Sequence, residues 1–95
     1  MKHHLRSYPE YFEATIHGNK THELRADTDG GPFAVGDSIV LQEYDPKTSM
    51  YTGRECKVSI TYMSPMPKPW LKEGYSLLSI HLIKKPWWKV WGEQE

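Results

Sequence analysis

Three stretches of β pattern, each closed off by turn residues, restrict this chain more than any other feature. Ser38-Ile39-Val40-Leu41-Gln42-Glu43-Tyr44 is rich in β-branched and apolar side chains. Residues 54–63 set Cys56, Val58, Ile60 and Tyr62 at alternate positions, and Tyr75 to Ile83 does the same with Leu78, Ile80 and Leu82. The β-branched first run reads as a strand, and the period of two in the other two predicts strands with one face in a core. Asp45-Pro46 opens a turn that Gly53 ends, so 45–53 reads as a long hairpin loop carrying Met50 and Tyr51. The three prolines between Ser64 and Pro69 exclude regular structure there. Residues 2–6 are a weaker strand candidate.

One helix signal precedes these strands. Ser7-Tyr8-Pro9-Glu10 has the spacing of a capping box, and proline is tolerated in a first helical turn. Phe12 and Ile16 form an i, i+4 apolar stripe and Gly18 supplies a stop, which predicts a helix over 8–17. From Lys20 the pattern becomes extended, with Thr21, Glu23 and Arg25 on one face and His22 and Leu24 on the other. Ala26 to Pro32 contains Asp-Gly-Gly-Pro and is a loop. The expected class is α+β, mostly β. It has five or six short strands curling into a small barrel, with one short N-terminal helix.

Ninety-five residues hold one modest core. Residues 1–85 are read as one domain, and 86–95 as a tail containing Trp87, Trp88 and Trp91. Cys56 is the single cysteine, which rules out an intrachain disulfide and a multi-cysteine zinc site and suits a reducing compartment. No apolar stretch is long enough for a membrane span or a signal peptide, so a cytoplasmic location with no membrane partner is expected. Nothing in the sequence calls for a cofactor or a metal; the adjacent His3 and His4 do not make a metal site. Twelve basic residues balance twelve acidic ones, so binding of a polyanion requires a local patch.

The densest polar constellation is Lys20, Thr21, Glu23 and Arg25. Three residues of strand span about 10 Å, so Lys20 and Glu23 meet only if a turn brings Lys20 back. Charges about 4 Å apart then attract by roughly 4 kcal/mol at an effective dielectric near 20, before desolvation. The pair is either a solvated ion pair on a strand edge or a cleft that combines a base with a cation. Lys20 and Arg25 can neutralise a phosphate, Arg25 bidentately, and Glu23 can accept from an exocyclic amine or a ribose hydroxyl. Tyr44 can stack a base or form barrel wall. His17, His22 and His81 are candidate bases near neutral pH, and His22 lies within the constellation. Asp37 after Gly36 is read as a turn residue, and Cys56 as a core thiol. The tail, with Lys84, Lys85 and Lys89 among its tryptophans, suits a single-strand binding surface, a cover for a barrel opening or a contact with a protein partner. Trp70 is read as a core or loop anchor.

Gly18-Asn19-Lys20-Thr21-His22-Glu23-Leu24-Arg25 resembles the Gly-x-Lys-x-x-Glu-x-Arg signature of ASCH domains, relatives of the PUA RNA-binding fold. Residues 33–45 resemble the segment in which those domains begin their next barrel strand. Pro9 to Phe12, Tyr51 to Glu55 and Leu71 to Tyr75 resemble a small phage and bacterial branch. The likeness covers about residues 2–83. It implies a β-barrel with helices closing its ends, and a signature-lined cleft that binds RNA or a modified nucleotide. Lys20, His22, Glu23, Arg25 and Tyr44 are the candidate ligand contacts. One small relative is an amidohydrolase that removes the acetyl group of N4-acetylcytidine with a lysine, a threonine and a glutamate; others are ribonucleases. Lys20 matches that lysine in position, whereas the threonine falls at Glu23 here, with Thr21 close by. An enzymatic reading therefore rests on Lys20, Thr21 and Glu23.

Overall fold

The computed structural model describes residues 1–65 and 71–84. Trp70, the tryptophan tail and the domain boundary expected at residue 85 lie outside the described residues. Five strands and one helix follow in the order β1 (Lys2–Ser7), α1 (Pro9–Ile16), β2 (His22–Ala26), β3 (Ser38–Asp45), β4 (Met50–Met63) and β5 (Tyr75–Lys84). They form one sheet in the order β1-β3-β4-β5-β2. β1 runs parallel to β3, and the other pairings are antiparallel. No helix among the described residues is long and apolar enough to cross a membrane.

β1 and β2 are the two edges, and the sheet curls until they approach. Laid flat, edges four spacings apart would be separated by about 19 Å. Instead, the guanidinium of Arg25 on β2 donates to the carbonyl of Arg6 on β1. The curl has local causes in the register shifts of β4, between Gln42 and Tyr44 on its β3 side and between Ile60 and Tyr62 on its β5 side. An extra residue in one strand bends it and increases its twist. The molecule is a half-barrel closed on four sides by backbone ladders, with an open seam between β1 and β2. A fully closed barrel is not formed.

The inner face and the helix supply the core. Leu5, Phe12, Ile16, Phe33, Ile39, Leu41, Cys56, Val58, Ile60, Leu78 and Ile80 are its buried members. Phe12 and Ile16 lie on one stripe of α1, as their spacing predicts, and Cys56 is a core thiol whose pKa burial pushes up to about 12. Tyr62 departs from its expected face: the shift after Ile60 turns it outward, where it is exposed.

The helix start and the long hairpin also differ from the expectation. Tyr8, not Ser7, is the N-cap, and no side chain caps the helix. Ser7 is still in β1 and points inward with His3 and Leu5, so it cannot turn to the helical amides. The segment expected as a loop over 45–53 is mostly strand. Tyr44 pairs with Tyr51 and Asp45 with Met50, leaving a tight turn at 46–49 with Ser49 at φ 57°. Gly53 does not end that turn. It sits at φ 93° in the bulge, where Thr52, Gly53 and Arg54 together face Glu43.

That bulge places a second charged cluster. Thr52 Oγ1 and Arg54 Nε each donate to Glu43 Oε1 at 2.6 Å, and Arg54 Nη2 reaches Glu43 Oε2 at 2.8 Å and Glu13 Oε2 at 2.6 Å. The Arg54 hydrogen bonds are the main cause that lowers the pKa of both carboxylates, and Glu43 is buried. Arg54 thereby ties α1 to β3 and β4 while its guanidinium lies 5.2 Å from the centre of the Phe12 ring.

Candidate functional site

Gly18 decides where Lys20 goes. At φ 81° it adopts the left-handed conformation that closes helices, and the amides of Asn19 and Lys20 both return to the carbonyl of Ala14. The chain is turned back before β2 begins at His22. Lys20 Nζ consequently lies 2.6 Å from Glu23 Oε1, and it also donates to the carbonyl of His22 at 2.6 Å. Arg25 Nε donates to Glu23 Oε2 at 2.9 Å from the other side. One carboxylate is thus clamped between two cations, each on its own oxygen.

β2 inverts the usual distribution of polarity. Leu24 faces outward and is 54% exposed, whereas Glu23 is 4% exposed and points into the half-barrel. Period two makes this a matter of register: with Lys20 and Arg25 supplying three and five donors on the inner face, the carboxylate is paired there. Burying a carboxylate without such partners would be prohibitive.

The clamp forms the floor of a cleft of about 730 Å³ in the seam. One wall comes from the end of β1 and the start of α1, through Arg6, Ser7, Tyr8 and Tyr11. The other comes from β2, Asp29 and Tyr75. Tyr8, at the N-cap, and Tyr11, three residues on in α1, hold their rings nearly parallel, 6.5 Å between centres and 18° between planes. Both are exposed, as is Tyr75 opposite. Ser7, 4% exposed, has a hydroxyl with no hydrogen-bond partner, an uncommon state among buried polar groups.

The expected site residues divide clearly. Lys20, His22, Glu23 and Arg25 all border the cleft. Thr21 does not; it is exposed just before β2, and its carbonyl accepts from the amide of Ile80. Tyr44 also lies outside the cleft, on β3, edge to face with Tyr51 at 5.1 Å. Arg25 has its fork committed within the protein, to Glu23, to Asp29 Oδ2 at 3.2 Å and to the Arg6 carbonyl. A phosphate cannot take that fork without displacing one of these partners. His17 is paired with Glu13 on the helix, and His81 is exposed on β5 outside the cleft. Sequence reading missed Tyr8, Tyr11 and Tyr75 as cleft residues. The available signal was that Tyr11 falls off the Phe12–Ile16 stripe.

Asp37 does more than the turn role expected of it. Its Oδ2 accepts from the Ala34 amide at 3.0 Å, as a turn residue would, and is 2.8 Å from Nε2 of buried His3. The other ring nitrogen of His3 is 2.7 Å from the carbonyl of Gly30. Hydrogen bonds from His3 first, and from the terminal ammonium next, lower the Asp37 pKa to about 2. This trio pins the 27–37 loop to β1. Among the described residues no group of three or more His, Cys, Asp or Glu side chains could hold a metal.

Fold and site together define a small half-barrel protein with a charge-clamped cleft in its open seam. The chain belongs to the family described as "Domain of unknown function (DUF3850)", whose model matches residues 2–80. That span contains every residue lining the cleft. No curated protein matches the chain.

Proposed function

We propose that this protein is an RNA-binding or modified-nucleotide-binding domain of ASCH/PUA-like type, with its ligand held in the seam cleft. The observation that carries this reading is Glu23, a buried carboxylate held on both oxygens by Lys20 and Arg25 at the floor of a cleft rimmed by exposed tyrosines. The clamp fixes the carboxylate rigidly while leaving each oxygen a further acceptor site, which suits the exocyclic amine of a base. Tyrosine faces at the rim suit the flat side of the same base, since base–aromatic stacking contributes roughly 1–3 kcal/mol. With Asp29 also on Arg25, the two cations of the clamp face two carboxylates, and that balance favours reading a base over gripping a phosphate. The amidohydrolase alternative keeps Lys20 and Glu23 but loses Thr21, which is outside the cleft.

Proton and heteronuclear NMR with cytidine and N4-acetylcytidine tests both readings in one sample. Binding predicts saturable shifts centred on Tyr8, Tyr11, Lys20, Glu23 and Tyr75, abolished in a folded Glu23→Gln variant. Shifts scattered away from the seam, or none with any nucleoside or ribonucleotide, would refute the proposal. Release of acetate dependent on Lys20 would establish the hydrolytic reading instead.

A further inference from the structure

The cleft does not end at the seam. Arg6, on its β1 wall, is exposed and places its guanidinium 4.5 Å from the centre of the Tyr44 ring. Tyr44 in turn packs edge to face against Tyr51, 51% of which is exposed on β4. These three residues come from three adjacent strands, β1, β3 and β4, so they form a continuous strip across the outer sheet surface.

The charges along this path differ in one respect. Lys20 is paired with Glu23, and Arg25 with Glu23 and Asp29. Arg6 is the cleft-lining cation that makes no ion pair with a carboxylate among the described residues. A guanidinium held over a ring keeps its N–H edge available for an anion. The cleft lining carries Arg6, Lys20 and Arg25 against Glu23 and Asp29, and the uncompensated charge is therefore located at Arg6. A cation without a counter-ion, set against the half-buried ring of Tyr44 and near the exposed ring of Tyr51, is the chemistry that follows the backbone and bases of a single strand.

We infer that the site extends beyond the cleft into a track for single-stranded RNA, with Arg6 taking the phosphate next to the bound base and the exposed ring of Tyr51, braced edge to face by Tyr44, stacking the flanking base. This rests on the cleft being a base site, and it gives that site a polymeric ligand with a defined exit. It also separates two tasks: the clamp reads a base, and the strip supplies the backbone contact that the committed fork of Arg25 does not.

The test is a titration series by fluorescence or calorimetry with the four ribonucleoside 5′-monophosphates and the corresponding homotetranucleotides, each at several salt concentrations. The parent protein should bind the tetranucleotide of its preferred base more tightly than the monophosphate, by roughly 5- to 150-fold for one stacked base. Tyr51→Ala should remove most of that gain and leave monophosphate affinity unchanged. Arg6→Gln should lower the slope of log affinity against log salt by about 0.7, the value for one phosphate on a single strand. If the monophosphate binds but affinity does not grow with length, or the gain survives in both variants, the track is wrong and the cleft reading stands. If neither monophosphates nor tetranucleotides bind the parent, the cleft reading fails and the track with it.

Discussion

Removing the carboxylate of Glu23 is the most informative single perturbation of this fold. In the folded protein its side chain is nearly sealed, with Lys20 and Arg25 on its two oxygens at 2.6 and 2.9 Å. Each cation is itself about five-sixths buried. Glu23→Ala leaves two cations facing each other over a cavity with no anion between them. Breaking a buried pair by deleting one partner costs roughly 3–5 kcal/mol, and the remaining repulsion puts this site in the upper half of that range. A domain of this size is stable by only about 5–15 kcal/mol in total, so much of the margin is removed. Lys20→Met should cost less, roughly 1–2 kcal/mol, because Arg25 still satisfies the carboxylate. Combining Glu23→Ala with Lys20→Met should relieve the repulsion and be less destabilising than the sum of the singles by about 1 kcal/mol or more. Urea unfolding followed by far-UV circular dichroism gives these values directly, provided the m-value is unchanged. A Glu23→Ala protein within about 0.5 kcal/mol of the parent would refute the clamp as the support of β2. Additive single costs would show that Lys20 and Glu23 do not interact in solution.

Three further outcomes follow from other groups. Arg54→Met strips the buried Glu43 of its guanidinium partner and should cost about 3–5 kcal/mol in the same unfolding assay, while Arg54→Lys should recover only part of it because the bidentate geometry is lost. Asp37 has a folded pKa of about 2 against 3.8 in an unfolded chain, so the unfolded state takes up protons first as the solution is acidified. Its contribution should therefore be complete above about pH 5 and fall away between pH 4 and pH 2. Melting temperatures of parent and Asp37→Asn should converge over that window, and a constant difference would exclude Asp37 as the source. Cys56, buried and with its pKa raised to about 12, should resist alkylation by iodoacetamide at pH 8 in the native protein and react only on unfolding, as read by mass spectrometry. Rapid native labelling would mean that β4 opens locally.

Much of the architecture could be read from local pattern alone. The β-branched, apolar run at 38–44 predicts β3, alternation in 54–63 and 75–83 predicts β4 and β5, and Phe12 with Ile16 predicts the buried face of α1. The errors fall where a neighbour, not the local sequence, decides. Ser7 carries a capping signal but belongs to β1, since its ladder with β3 holds it in the strand. Met50 and Tyr51 carry turn-like surroundings yet pair across to Asp45 and Tyr44, and Gly53 serves a bulge that no sequence period announces.

The site shows the same division. Lys20, His22, Glu23 and Arg25 are adjacent in the chain, so their grouping, and the need for a turn to bring Lys20 back, were visible in the sequence itself. Whether Glu23 faces solvent or the core depends on the register of β2 against β5, which pairs it with Leu78 on the inner side. The second wall is set by tertiary structure alone. Arg6, Ser7, Tyr8 and Tyr11 precede the signature by about a dozen residues, and they border it only because bulges in β4 curl the sheet until its two edges meet. Residue types and short-range spacing determined which groups this chain can bring to a site. Curvature, a property of five strands together, decided which of them share one cleft.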